Sequence, residues 1–399
     1  MMGCTDINII SETISGVLGA IIGLVIGYKL SVFKRTFRKA KDFFAARALR
    51  NNERISDELL NIYTIENGMP HYHKLNLYLS NYKLFVPFPD ELKNEMPDGF
   101  AFRDGCSFNG SNDFGDLVDR TKIYNLKQLI DEHSILVARD FISRSKGFKF
   151  NGKLYGVYNI EIGIRETKDE KPVANILIYE TDFFTFQVFK SIYYYLKGIN
   201  HPISNINSLD ELRQYNCFLC SMGLNIIATV ESHEKDSSKI IFTKRASDVI
   251  NYSNMYHISA NEGVSEKDKN ENSNVVSIEK CLFRALHEEL GVSDEPSAIS
   301  INKSSCYFND LFFSRDLMEF GITAQVHIKN MNESDINVMI AKDRKFEMSG
   351  LFFVPHELKA INAYVAEREF VPHGLYAINT YCIRTFGPPG IELPRKKKK

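Results

Sequence analysis

From Thr13 to Tyr28 no charge interrupts the run TISGVLGAIIGLVIGY, and Leu30, Ser31, Val32 and Phe33 extend it past a Lys29 able to snorkel to an interface. As a helix, Thr13 to Phe33 covers about 30 Å, which predicts a transmembrane span over 13–33. Only Asp6 and Glu12 carry charge before it, whereas a cleaved signal peptide needs a basic start. Lys34, Arg35, Arg38, Lys39, Lys41, Arg47 and Arg50 follow, so the positive-inside rule leaves 1–12 outside and the remainder cytoplasmic. Within the span Gly19, Gly23 and Gly27 recur every four residues with Gly16 close by, a small-residue stripe that predicts self-association.

Beyond a basic juxtamembrane helix at 34–55, residues 56–210 alternate between extended and helical patterns. ISDELLNIY has the period of a short helix, KLNLYLSNYKLFVPF that of a strand, and KQLIDEHSILVARDFISR that of a helix. KLYGVYNIEIGI and VANILIYETDFFTF flank a polar turn as a hairpin, and KSIYYYLKGI closes the region as a helix. Over 211–390 the order is clearer. LNIIATV and KIIFTKRA pair across a polar turn, and HISANEGV leads through the charged insertion SEKDKNENSN to a helix over Val275–Leu290. SCYFNDLFF and EFGITAQVHI follow as strands, then LFFVPHEL and a last helix around HGLYAINTYCIRTF. The tail 391–399 ends in RKKKK.

Composition narrows the class. Hydrophobic residues make up 44% and charged residues 25% of 399, as in an ordinary folded chain. A net charge of −1 argues against a nucleic-acid partner for the chain as a whole. Seven scattered Cys make no disulfide framework, and the one CxxC, Cys217 and Cys220, lacks a second to complete a zinc site, so it reads as a buried segment.

The stretch FRALHEELGV, Phe283 to Val292, concentrates the chemistry. Glu288 and Glu289 sit in the last helical turn, where the macrodipole disfavours negative charge, and share a face with Ala285. Either a bound cation compensates them or Arg284, four residues before Glu288, does so as an ion pair. Lys244 and Arg245, at the end of KIIFTKRA, are candidate phosphate partners.

RALHEELGV resembles the second half of the Nudix box, G-x5-E-x7-R-E-U-x-E-E-x-G-U, with Arg284, Leu286, Glu288, Glu289, Gly291 and Val292 on matching positions. Glu262 and Gly263 stand in the preceding loop. The departures are Ala285 where the box has Glu, Val276 at the earlier Glu, and Asn270 at the Gly. With a depleted acid face, the resemblance is to the SMODS-associated Nudix membrane effectors of bacterial CBASS anti-phage systems.

That resemblance implies an α+β fold class: a single transmembrane helix, a cytoplasmic α+β region, and a Nudix-like α/β/α sandwich with a mixed sheet. It implies a cyclic di- or trinucleotide ligand held by Lys244, Arg245, Glu262 and Arg284, with no catalytic residue and no required cofactor. An upstream nucleotidyltransferase, homo-oligomerisation and disruption of the inner membrane complete the picture, with single-pass localisation. The rival expectation is a membrane-tethered Nudix hydrolase of nucleoside diphosphate derivatives, holding Mg²⁺ on Glu288 and Glu289.

Overall fold

The computed structural model describes residues 59–64, 74–95, 114–143, 151–162, 173–233, 237–247, 249, 252–271, 273–292, 306–315 and 318–387. In chain order these form β1 (Leu59–Thr64), β2 (Lys74–Lys83), α1 (Gly115–Thr121), α2 (Leu126–Ile142), β3 (Lys153–Ile162), β4 (Val173–Asp182), α3 (Phe183–Gly198) and α4 (Leu209–Gln214). There follow β5 (Met222–Glu231), β6 (Ser238–Arg245), β7 (Tyr256–His257), β8 (Ala260–Gly263), β9 (Val275–Val276), α5 (Ile278–Ala285) and a π-helical turn, Leu286–Leu290. Last come β10 (Cys306–Ser314), β11 (Glu319–Asn332), α6 (Glu333–Val338), α7 (Arg344–Glu347), β12 (Met348–Pro355), α8 (Leu358–Ala366) and α9 (Pro372–Phe386).

The larger sheet runs β1-β10-β11-β5-β6-β12, with β8 added to β5 and β7 to β6. It is mixed: β11 and β5 are parallel and the other pairings antiparallel. β5 is buried along nearly its whole length, as a central strand covered on both faces must be. Its Leu224, Ile226 and Ala228 pack into one cluster with Cys281, Leu282 and Ala285 of α5. Ile227 points the other way, into a second cluster with Phe242, Phe312 and Leu375, Ile378 and Cys382 of α9. The bidentate pair of Arg384 with the buried Asp310 ties α9 to β10.

The smaller sheet runs β3-β4-β2-β9, and its residues share the first cluster with α2, α3 and the larger sheet. The two sheets exchange edges: β1, from the N-terminal half, pairs with β10, while β9, from the C-terminal half, pairs with β2. Cys217 and Cys220 are free and fully buried, and burial pushes the Cys217 thiol up to about 12, so neither is poised to react.

Several expectations change. Among the described residues no helix is long and apolar enough to cross a membrane. The longest, α2, has 17 residues and carries charge along its length, short of the roughly 20 apolar residues a span requires. The fold class is corrected accordingly to a mixed α/β architecture with no membrane helix among the described residues, and the single-pass inner-membrane localisation is not supported. The run 13–33 with Gly16, Gly19, Gly23 and Gly27, the segment 34–55 and the tail 391–399 lie outside the described residues.

At finer grain, ISDELLNIY holds a strand, β1, where the local period suggested a helix. FFTF does not prolong β4 but opens α3. Asp182 accepts from the Thr185 amide at 2.8 Å, Asn151 accepts from Phe184 N at 2.8 Å, and the chain is turned into the helix there. Val275 and Val276 are strand, and the helix starts only after Ser277, whose hydroxyl caps Lys280 N.

Candidate functional site

The acid-bearing helix comes in two parts. α5 is α-helical to Ala285; from Leu286 the turn widens, and Gly291 ends it in the left-handed region at φ 76. The widened turn brings adjacent Glu288 and Glu289 both inward, 8% and 4% exposed, while His287 stays exposed. The macrodipole's negative end is answered by Arg344, whose guanidinium donates to Leu290 O at 2.6 Å and Glu289 O at 3.3 Å. Asp343 N adds a bond to Glu288 O.

Arg284 is the hub of the site. Its guanidinium meets Glu262 at 2.7 Å, Asp268 at 2.8 Å and Glu288 at 3.2 Å, and donates to Gly263 O at 2.8 Å. Asp268 lies in the short 3-10 turn Glu266–Asp268, whose capping box with Ser265 holds its carboxylate inward. Lys267 of the same turn reaches Glu288 at 2.9 Å. Burial acts to raise the Glu288 carboxyl, but Lys267 and Arg284 outweigh it and hold it below the ordinary value.

Glu289 has a different environment. One oxygen accepts from Asn261 N at 3.0 Å, and burial first, then Glu347 and Glu262, push its carboxyl well above the ordinary range. Glu347, at the end of α7, is pushed up to about 7, by burial first and then by Glu262. Arg245 acts on both from the end of β6, and also on Glu319, His257 and His373. Its partner candidate Lys244 is not in this group; its ammonium lies 5.7 Å from the centre of the Tyr256 ring.

Glu262, Arg284 and Glu288 are thus joined directly, with Glu289 and Arg245 in electrostatic reach. Asp268, Lys267, Arg344 and Glu347 complete the group from segments without a motif. Asp268 and Lys267 fall in the charged insertion, and only the Ser265–Asp268 spacing signals that part of it is ordered.

A divalent cation would find limited provision. Glu262 and Glu288 are committed to Arg284 and Lys267, and no three His, Cys, Asp or Glu side chains converge on a cation position among the described residues. Glu289 and Glu347 remain, two like-charged carboxyls with raised proton affinity. An oxygen-seeking Mg²⁺ held by these two would have to draw most of its ligands from water and bound phosphate.

On the other face of β8, Asn261 Nδ2 donates to Asn225 Oδ1 at 2.7 Å. These carboxamides line a small recess, with room for about one water, together with Gly223, Ser314, Glu319 and His373.

No family model matches the chain, and no curated protein does. Weak structural neighbours are Nudix and MutT-family proteins. The DR0079 protein of Deinococcus radiodurans is 14% identical, with 41% of this chain and 83% of that one covered and a TM-score of 0.28. A MutT/nudix family protein of Enterococcus faecalis is 14% identical over 34% and 43%, with a TM-score of 0.25. The NUDIX domain of Shewanella oneidensis NrtR, crystallised with ADP ribose, is 15% identical over 40% and 84%, with a TM-score of 0.26.

Proposed function

We propose that the C-terminal unit, residues 211–390, is a Nudix-like recognition domain that binds a phosphate-bearing nucleotide derivative and leaves it intact. The observation that carries this reading is the internal neutralisation of the acid face by Arg284, which is bonded to Glu262, Asp268 and Glu288 at once. Hydrolysis of a diphosphate by this layout draws on several free carboxylates to hold divalent ions and activate water. Here the committed carboxylates fix the helix and loop in place, and Arg245 supplies a planar, permanently charged fork for phosphate oxygens.

A cyclic di- or trinucleotide is the ligand class this suits, since its phosphodiesters each carry one charge and offer no pyrophosphate to cleave. Assembly of copies on binding is the output in this reading. The test is calorimetry of the full chain with cyclic di- and trinucleotides and linear nucleoside-diphosphate compounds, in Mg²⁺, with the ligand recovered and chromatographed. Saturable binding with ligand returned unchanged is expected, and sedimentation velocity reads assembly in the same samples.

One observation favours a second reading, a Mg²⁺-dependent hydrolase: Glu347 brings a carboxyl from outside the box to Glu289. Steady turnover of a linear compound, abolished in Glu289→Gln, would replace the first reading by this one.

A further inference from the structure

The larger sheet ends on β12, and the direction of each backbone group along that strand follows from its bonds to β6. His356 N donates to Ser238 O at 3.0 Å, so by the alternation of a strand the N–H groups of Val354, Phe352 and Gly350 also face β6. β6 gives the same parity: Ala246 N donates to Glu347 O across this pair, whereas Arg245 N turns the other way, to Met255 O. The backbone N–H and C=O of Leu351 and Phe353 therefore point out of the sheet's edge. Among the described residues β12 has β6 as its one strand neighbour, and nothing pairs with that outer side.

An open edge is a template for another strand, and folded chains guard it with charge, Pro or a bulge. β12, MSGLFFVP, carries no charge from Met348 to Pro355. Its guards stand only at its ends. The register with β6 slips between Met348 and Gly350, a bulge at Ser349, whose hydroxyl turns back onto Lys244 O and Arg245 O at 3.3 Å. Pro355, outward by the same parity, has no N–H to offer. Between these two, Leu351, Phe352 and Phe353 are each half-buried. Leu351 and Phe353 lean on the core shared by the two sheets. Phe352 leans on the opposite cluster, its ring centre 5.4 Å from that of Tyr256 and 6.1 Å from that of Tyr364.

The spacing of these features decides what fits the edge. Ser349 and Pro355 lie equally far to either side of Phe352, so the open run is symmetric about that residue. Two copies laid antiparallel, with Phe352 on the two-fold axis, set Leu351 of each opposite Phe353 of the other. Those are pairs of outward-facing residues, and each exchanges both of its N–H···O bonds. Pro355 then falls opposite the bulge of the second copy, at the end of the ladder. With the axis moved to Leu351, Phe353 meets the bulge; moved to Phe353, Leu351 meets Pro355, which cannot donate. At the axis itself Phe352 faces its own copy at a position without hydrogen bonds, where Cα atoms approach to about 4.5 Å and aromatic pairs are favourable.

We propose that β12 is a homodimerisation edge, through which two copies pair antiparallel about Phe352 and join their larger sheets into one. The contact uses the same patch on both copies, so it closes at two. The handful of residues on each side is well below the roughly 20–30 of a standard interface, so the dimer is weak and concentration-dependent, in the micromolar range. The pairing needs no ligand and goes beyond the nucleotide reading, for which it names the surface that assembly would use.

Sedimentation velocity of the full chain, from about 1 to about 300 μM and without nucleotide, reads the association as a reversible monomer–dimer equilibrium. Hydrogen exchange of the unsubstituted protein reads its geometry. The Leu351 and Phe353 amides exchange freely in dilute samples and slow about tenfold or more as the dimer forms, while Phe352 and Val354, already bonded to β6, do not change. Under mild oxidation Phe352→Cys gives a disulfide-linked dimer. Ser349→Cys, about 20 Å from its mate by the rise of a strand, stays at the level of the unsubstituted protein. Leu351→Lys weakens association at least about tenfold.

The edge is overturned if the chain stays monomeric over the whole range, or if it dimerises with the Leu351 and Phe353 amides as fast as before. It is overturned equally if Ser349→Cys cross-links as readily as Phe352→Cys. The exchange pattern needs no variant, so it decides the matter even where a substituted chain fails to fold, and failure of nucleotide binding leaves every one of these outcomes readable.

Discussion

Arg284 offers five donors in a rigid fork and spends them on three carboxylates and a carbonyl. Removing it leaves Asp268, with its side chain 1% exposed, and Glu262 without a counter-charge. Arg284→Met therefore lowers stability by about 3–5 kcal/mol, read from the urea midpoint at constant slope. Glu347 makes the opposite kind of contribution. Its folded-state carboxyl is raised to about 7 from an ordinary 4.5, so the native state holds the proton over a range where the unfolded chain has lost it. Stability from this group is present at acid pH and lost as pH rises toward and through 7. In metal-free buffer Glu347→Gln is expected to raise Tm relative to the unsubstituted protein, with the gain larger at pH 8 than at pH 5. The Arg284–Glu288 pair was readable from spacing, because positions four apart on a helix share a face, whereas the inward turn of Glu289 depends on the widened last turn. Asp268 and Glu347 were not readable, since their approach depends on a loop's path and on a distant strand entry, neither of which leaves a periodic trace.

The helix that carries the site ends on geometry as demanding as its chemistry. Gly291 adopts φ 76, and a Cβ there would stand 2.9 Å from Met339 Cβ and 3.0 Å from Ile340 O. Gly291→Ala is expected to cost about 1–3 kcal/mol, from backbone strain and collision together, seen as a fall in Tm. Gly291 was anticipated as the cap, but the widening of the turn before it was not, because nothing in LHEEL distinguishes one helical pitch from another. Other elements divide the same way. Long, strongly patterned segments such as α2, β5 and α9 were evident from period alone. β1 was misread as a helix because its partner, β10, lies far along the chain, and pairing at an edge overrides local preference. Val275 and Val276 fit the helical repeat that follows them, yet β2 claims them as strand.

For the molecule as a whole, the exchange of edge strands welds the two sheets into one unit. A fragment beginning at residue 211 would lose β1 from one edge of the larger sheet and leave Val275 and Val276 without β2. It would also uncover the face of the shared core that Leu77, Ile178 and Phe189 fill. Residues 211–387 expressed alone are expected to be unstable or insoluble. The intact protein is expected to unfold in a single transition, reported identically by far-ultraviolet circular dichroism and tyrosine fluorescence. The binding and association measurements above are therefore to be made on the complete chain.

The stitch between β9 and β2 has a mechanical meaning. Only Ser277 lies between Val276, held against Leu77, and Ile278, the first residue of the helix that carries Arg284, Glu288 and the turn to Glu289. With a single residue of slack, a tilt of that helix as the cleft fills cannot dissipate in a loop; it pulls on β2 and loads the neighbouring sheet. Amide exchange at Leu77 to Leu79 is expected to slow when a nucleotide binds in the distant cleft beside that helix, a strain gauge wired directly to the ligand.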